Sequence, residues 1–143
     1  MQKTKMIFNP ASYLVIVNKK HALAPNYIPT NLYRPNIPFA TAYPLAKKLL
    51  RKKAAAALDK MKQAANRNGL QLIGISGYRS YYRQRQIHQT QVQAKGKKAA
   101  DKISAQPGHS EHQTGLAVDI SCPQLNYKLI TDFAATQEGD WLA

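Results

Sequence analysis

The sequence has one cysteine, few acidic residues and no long apolar run. The single cysteine, Cys122, excludes an intramolecular disulfide and any multi-cysteine zinc module. The apolar run over residues 13–17 is far shorter than the ~20 residues that span a bilayer, so no transmembrane segment is predicted. The basic first residues are not followed by the apolar stretch of about 7–15 residues typical of a signal peptide. We therefore expect no secretion signal within this sequence.

The scarcity of acid gives the chain a strong positive charge. It has 21 Lys+Arg against 7 Asp+Glu, a formal net charge of +14, and its first acidic residue is Asp59. Such a field attracts nucleic acid, anionic wall polymer and anionic lipid alike, because Coulomb attraction does not distinguish among them. No DNA- or RNA-recognition motif is present, so nucleic acid is not expected as a partner. A solvated basic face is the commoner explanation of such a charge.

Length and composition suit one domain. The 143 residues are 44% hydrophobic, which is enough for a core. Residues 1–43 are predicted to form an extended arm with a strand over 13–17, since later prolines exclude a long helix. A helix is predicted to begin at Pro44 and to continue to about Asn68, with an apolar stripe along one face, and Gly69 ends it.

The remaining chain alternates between short strands and helices. A strand is predicted over residues 70–75, and Ser80 is a plausible N-cap for a helix over about 81–93. Residues 104–115 are rich in Gly, Pro, Ser, His and Gln, which is typical of a loop. Residues 116–121 alternate strictly between apolar and small or polar side chains, which predicts a strand. The sequence therefore indicates an α+β domain.

The loop and the last of these strands carry a histidine and a carboxylate seven residues apart. His112 lies in the loop, and Asp119 falls on the polar face of the strand. Zinc accepts imidazole nitrogen and carboxylate oxygen, and catalytic sites use three protein ligands and leave the fourth position for water. Spacing alone leaves two interpretations open, since these residues could supply two zinc ligands or could simply be surface residues.

Two motifs carry a family resemblance. Residues 104–120, with Ser110-x-His112-x-x-Gly115-x-Ala117-x-Asp119, resemble the signature of the VanY-type D-alanyl-D-alanine carboxypeptidases, zinc peptidases that trim peptidoglycan stem peptides. Residues 76–80, Ser-Gly-Tyr-Arg-Ser, resemble a second signature of that family. The order and separation of the two blocks also fit, and the resemblance extends from about residue 12 over nearly the whole chain.

The resemblance implies a fold, a reaction and a set of site residues. The implied fold is hedgehog/D-Ala-D-Ala-peptidase-like, an antiparallel sheet with flanking helices, and the implied reaction is zinc-dependent removal of the terminal D-alanine. His112 and Asp119 would be Zn²⁺ ligands, and Arg79 would bind substrate oxygen and stabilise the charge developing on the scissile carbonyl. Gln84 would hydrogen-bond the peptide, and Ser110 would hold its terminal carboxylate.

The chain departs from the family pattern after Asp119. The resemblance expects a Glu-x-x-His or Glu-Pro-Trp-His segment that supplies a general base and the third zinc ligand, whereas no histidine follows Asp119 here. Residues 136–142 resemble an earlier family block instead. His109 and Glu111 are nearby alternatives, but family members carry the same loop and still use the distant ligands. We therefore expect residues 44–143 to hold the N-terminal and central part of the domain, incomplete at the C-terminus and inactive or impaired.

Other functions stay open on the sequence alone. One alternative is a non-catalytic remnant that binds cell-wall peptide or anionic wall polymer, and a basic nucleic-acid-binding protein is less favoured. Peptidoglycan as substrate implies an extracytoplasmic location, in the cell wall or at the membrane. The motifs do not decide between cleavage of a D,D-bond and of an L,D-bond.

Overall fold

The computed structural model describes residues 3–143, which form two compact units. Unit 1 contains the described residues up to Thr30 together with Arg79–Leu116, and unit 2 contains Asn31–Tyr78 and Ala117–Ala143. Each unit therefore combines two separate stretches of the chain. Across the described residues, every helix is too short or too polar to cross a bilayer.

Short strands and helices alternate along the chain. In order they are β1 (Lys5–Met6), β2 (His21–Ala22), β3 (Leu32–Tyr33), β4 (Leu50–Arg51), α1 (Lys52–Arg67), β5 (Ile73–Ser76), α2 (Tyr81–Lys95), α3 (Lys97–Ile103), β6 (Asp119–Ser121) and α4 (Gln137–Leu142). Within residues 3–143 the strands form three two-stranded sheets, of which β1–β2 is parallel and β3–β4 and β5–β6 are antiparallel. The described part of the chain also has 3-10 helices over Leu45–Lys48, Glu111–Thr114, Pro123–Leu125 and Thr131–Ala135. The mixture confirms the predicted α+β class.

The core of unit 2 is built on α1. Its apolar stripe buries Ala55, Leu58 and Ala65 against Leu50 and Leu72.

The predicted helix from Pro44 was wrong in its first turns. A 3-10 helix follows Pro44, and Leu50 and Arg51 then pair with Tyr33 and Leu32 as β4, so α1 begins only at Lys52. Tertiary pairing with β3 overrides the helical spacing there, because a fully buried Leu50 gains more from the core than from one more helical turn.

Unit 1 is built on α2 and α3. The Ser80 hydroxyl accepts a hydrogen bond from the Arg83 backbone N–H at 3.1 Å, so the predicted N-cap and helix are confirmed. Gly96, with φ of 80°, ends α2 and starts α3.

The predicted strand over residues 13–17 was wrong. The backbone of this segment forms hydrogen bonds within local turns, such as the one that the Val15 N–H donates to the Ser12 carbonyl.

The strand before Cys122 is shorter than the alternation predicts. Only Asp119–Ser121 is paired, with Ser76 opposite Asp119 and Ile73 opposite Ser121 across an irregular register. Val118 and Ile120 pack against the core of unit 2, which confirms the predicted apolar face of this segment. Asp119 therefore lies at the first residue of β6, beside β5.

Candidate functional site

Unit 1 contains four of the five predicted site residues. Arg79 immediately precedes the N-cap of α2, and Gln84 lies in the first turns of that helix. Ser110 is the N-cap of the 3-10 helix that carries His112. The fifth residue, Asp119, lies in unit 2. The candidate site is therefore described from unit 1, and Asp119 is described within its own unit.

A backbone hydrogen bond joins the two sequence motifs. The Arg79 N–H donates to the His112 carbonyl oxygen at 3.0 Å, although the two residues are far apart in the sequence. The Ser110 hydroxyl accepts from the His112 N–H at 3.4 Å, which fixes the first turn of the 3-10 helix. Gly115, with φ of 72°, ends this helix. The two motifs that resemble one family thus meet within unit 1.

Gln84 holds the Arg79 guanidinium. Arg79 Nη1 donates to Gln84 Oε1 at 3.0 Å, while Gln84 Nε2 donates to the Ala105 carbonyl at 2.7 Å and lies 3.3 Å from the Ser104 hydroxyl. Gln84 is only 2% exposed. A buried amide whose two ends are both hydrogen-bonded has one favoured orientation. The guanidinium is therefore fixed beside the segment that follows α3.

Two of the predicted residues line a cleft. Its volume is about 640 Å³, which is within the range of small-ligand sites. Its lining includes Ser110 and His112 as well as residues 17–19 and 101–106. Arg79 and Gln84 contact this lining, the first through the His112 carbonyl and the second through Ser104 and Ala105. The cleft is therefore large enough for a small ligand, and Ser110 is one of the residues that line it.

An acidic group on the cleft wall was not predicted from the sequence. Asp101 accepts from Lys97 Nζ at 2.7 Å and from Gln106 Nε2 at 3.2 Å, and His88 Nε2 lies 3.1 Å away. The hydrogen bond from the Lys97 ammonium, with the one from Gln106, lowers the pKa of the Asp101 carboxyl below its ordinary value. His88 is 8% exposed, and its Nδ1 atom has no hydrogen-bond partner among the described residues. The pair ties α2 to α3 at the cleft.

Sequence reasoning could have found this pair only in part. His88 and Asp101 are 13 residues apart on two helices that Gly96 separates. A helical hairpin predicted from Gly96 would bring its two arms together, but the turn angle decides which side chains meet. The sequence therefore indicates only that Asp101 is a rare acid in a basic segment. Its pairing with His88 depends on how the two helices pack.

The neighbouring histidine of the loop has a different contact. His109 Nδ1 lies 2.7 Å from the Asn18 carbonyl oxygen, which ties the loop to the N-terminal segment. Glu111 is exposed at the start of the 3-10 helix. These contacts lend no support to either residue as a substitute metal ligand.

The predicted metal ligands do not by themselves form a zinc site. Imidazole nitrogen and carboxylate oxygen suit zinc, so the chemistry of His112 and Asp119 is appropriate. Across residues 3–143, however, no three His, Cys, Asp or Glu side chains are grouped so that they could hold a metal ion. A catalytic zinc site uses three protein ligands. We therefore derive no catalytic step through a metal from these residues.

Comparison with known proteins identifies carboxypeptidases as relatives of this chain. The sequence model of the VanY family, described as D-alanyl-D-alanine carboxypeptidase, matches residues 47–143. YodJ of Bacillus subtilis (strain 168), a protein named as a carboxypeptidase, is 43% identical over 136 residues, which cover 95% of this chain and 50% of YodJ. The chain thus spans about half the length of that curated relative.

Two solved structures of peptidases are also similar to this chain. The LdcB LD-carboxypeptidase, whose structure is described as revealing peptidoglycan recognition, is 42% identical with a TM-score of 0.93, over 97% of this chain and 65% of that chain. The vancomycin-resistance D,D-pentapeptidase VanY of a VanB-type cassette, solved in complex with Zn(II), is 29% identical with a TM-score of 0.60, over 76% of this chain and 61% of that chain.

Proposed function

Because this chain belongs to the VanY family of D-alanyl-D-alanine carboxypeptidases, we propose that unit 1 forms the peptide-binding part of a zinc-dependent carboxypeptidase that removes the terminal D-alanine from peptidoglycan stem peptides. The observation that carries the proposal is the hydrogen bond between Arg79 and His112, since it joins both family motifs beside the cleft. A substrate in the wall implies that the protein acts outside the cytoplasmic membrane.

Ser110 is proposed to bind the terminal carboxylate of the peptide. Its hydroxyl lines the cleft and accepts a hydrogen bond from the His112 N–H, which leaves the hydroxyl hydrogen to be donated to a carboxylate oxygen. Ser110 is 5% exposed, so a bond to it would form largely away from water. Hydrogen bonds to a charged acceptor are stronger than neutral ones, which suits recognition of a chain terminus.

Arg79 is proposed as the residue that bears the negative charge developing on the scissile carbonyl. A guanidinium stays protonated at working pH and presents its donors in a rigid fork. The bond to Gln84 Oε1 holds this fork before substrate arrives, so little reorganisation accompanies the reaction. We therefore propose that Gln84 positions Arg79, while its predicted direct bond to the peptide stays a prediction.

His112 and Asp119 remain the proposed zinc ligands on the strength of their motif. They would supply two of the three protein ligands of a catalytic zinc ion, whose chemistry in such a site is that of a Lewis acid. Tight zinc binding also requires a third protein ligand, and residues 3–143 contain no group of three such side chains. We therefore propose that these 143 residues bind stem peptide and hydrolyse it poorly or not at all.

Peptide binding by the 143-residue chain tests the proposal. Calorimetry with a stem pentapeptide ending in D-Ala-D-Ala, and with the tetrapeptide that offers an L,D-bond, should detect one site. Arg79→Ala and Ser110→Ala should each weaken binding about tenfold or more, because each removes a charge-assisted hydrogen bond. Arg83→Ala is the matched control, since Arg83 is an exposed arginine in the first turn of α2, four residues after Arg79. Unchanged binding in both site variants would overturn the proposal.

The same titration addresses the specificity of the family member. Tighter binding of the pentapeptide favours the D,D-reaction, and tighter binding of the tetrapeptide favours the L,D-reaction, a reaction type that the LdcB name also carries. The alternative function is that of a non-catalytic protein that binds wall peptide or anionic wall polymer. Binding of polymer alone, without response to either peptide, would support this alternative.

A further inference from the structure

The N-terminal segment of unit 1 exposes an unusual number of large apolar side chains. Phe8 is fully exposed at 101%, and Leu14, Ile16 and Met6 are 89%, 66% and 61% exposed. Single exposed apolar residues are normal on a protein surface. Four in one short segment are unusual, and concentrations of exposed apolar side chains mark protein or membrane contacts. We call residues 3–20 the basic apolar arm.

Backbone bonds hold the arm in this exposed shape. The Lys5 N–H donates to the Lys20 carbonyl at 2.8 Å, so β1 and the turn before β2 lie side by side. The Lys20 N–H also donates to Asn18 Oδ1 at 2.8 Å, which closes that turn. Val17, at 5% exposure, anchors the returning chain in unit 1. The apolar side chains therefore project from a loop that is fixed at both ends.

The charges of the arm all have the same sign. Lys3, Lys5, Lys19 and Lys20 are exposed, and the sequence has no acidic residue before Asp59. The hydrogen bond between Lys5 and Lys20 places two of these lysines close together at one end of the loop. Basic residues beside a membrane attract anionic headgroups. The arm thus combines a positive rim with projecting apolar tips.

We propose that the basic apolar arm is a membrane-docking surface for an anionic lipid bilayer. Phe8 and Leu14 would insert between headgroups, while the lysines contact lipid phosphates. An anionic polymer would engage the lysines but would leave the apolar tips in water, so the bilayer accounts for both features. Residues 17–19 also line the cleft, so docking would hold the cleft near the lipid surface. The inference does not rest on the proposed enzymatic function.

Sedimentation with vesicles tests the proposal on the 143-residue chain. The chain should bind vesicles of phosphatidylglycerol and phosphatidylcholine, and should bind pure phosphatidylcholine far less. The double variant Phe8→Ala/Leu14→Ala should bind the anionic vesicles about tenfold more weakly or worse, because two inserted side chains are lost without a change in charge. Lys5→Gln/Lys20→Gln should lose about fivefold per lysine at low salt.

The control is a second double variant that removes the same kinds of side chain elsewhere. Tyr82 and Leu129 are 62% and 52% exposed, and Tyr82→Ala/Leu129→Ala should bind as the unaltered chain does. If Phe8→Ala/Leu14→Ala binds anionic vesicles as well as the unaltered chain does, net charge alone explains the binding and the proposal is overturned. Failure to bind anionic vesicles, or binding of teichoic acid alone, would also overturn it.

Discussion

Gln84 joins three parts of unit 1 through one buried amide. Its oxygen accepts from Arg79, and its nitrogen donates to Ala105 and lies beside Ser104. A hydrophobic residue of similar size cannot replace these bonds. Loss of the Gln84 hydrogen bonds should therefore affect both the stability of unit 1 and the orientation of the Arg79 guanidinium.

Gln84→Leu should therefore destabilise the chain by about 1–3 kcal/mol, because the Ala105 carbonyl and the Arg79 guanidinium each lose a buried partner. Gln89→Leu is the control, since Gln89 is exposed on the same helix. Chemical denaturation of both variants measures the difference. An equal midpoint for Gln84→Leu and the unaltered chain would show that the Gln84 amide contributes nothing to stability.

Asp101 gives unit 1 a dependence on pH. The Lys97 hydrogen bond lowers the pKa of the Asp101 carboxyl from its ordinary value of 3.8, so the folded state favours the carboxylate. The resulting stability is fully present above the unfolded pKa and is lost as the pH falls through the lower folded pKa. Because the Asp101 side chain is partly exposed and water screens its interactions, we expect a small effect.

Asp101→Asn should lower the melting temperature at pH 7 and should have little effect in strong acid, where the native carboxyl is already protonated. Asp132→Asn serves as the control, since Asp132 is an exposed acid. Thermal melts of both variants at pH 7 and near pH 2 test the expectation. A difference between Asp101→Asn and the unaltered chain that is the same at both pH values would contradict it.

At the scale of elements, the backbone before α2 leaves no room for a side chain at Gly77. A Cβ there would lie 2.5 Å from the Leu49 carbonyl oxygen and 3.0 Å from that of Lys47. The Gly77 N–H donates to the same Lys47 carbonyl at 2.6 Å, so the two segments cannot separate without losing this bond. The glycine of the Ser-Gly-Tyr-Arg motif is thus explained by close backbone packing within unit 2.

Gly77→Ala should destabilise the chain by about 1–3 kcal/mol, because the backbone atoms that the new methyl meets cannot rotate away. Gly69→Ala is a useful comparison: Gly69 has φ of 72° but open space around its Cβ position, so only the backbone preference of glycine is lost there. Denaturation midpoints measure both. A smaller loss of stability in Gly77→Ala than in Gly69→Ala would contradict this prediction.

Elements were predictable where the signal is local. The Ser80 cap and Gly96 delimit α2 because capping and positive φ act within a few residues. The run Tyr13–Val17 has high strand propensity but finds no neighbouring strand among the described residues, and its backbone closes local turns instead. Strand propensity alone could not predict this, because a strand needs a partner.

At the scale of the whole molecule, metal content reports whether the chain forms a complete site. We expect the 143-residue chain to retain far less than one zinc ion after dialysis, because no three-ligand group is present among residues 3–143. A chelator should then leave the melting temperature unchanged, since tightly bound metal would have stabilised the folded state.

Atomic absorption and thermal melts with and without chelator measure these outcomes. His112→Ala should remove any weak zinc binding that remains, and His21→Ala should not, because His21 lies outside both motifs. Retention of stoichiometric zinc by the unaltered chain would contradict the expectation. The search for a third ligand would then turn to the residues around His112.

The α+β class, the family and the candidate residues could all be predicted from the sequence, because capping, periodicity and motif spacing are encoded within short segments. The contacts between Gln84 and Arg79, between Arg79 and His112 and between His88 and Asp101 are visible only in the folded chain. These contacts join residues from different turns, helices and loops, and their geometry depends on how whole elements pack. Local sequence patterns carry no direct record of that packing.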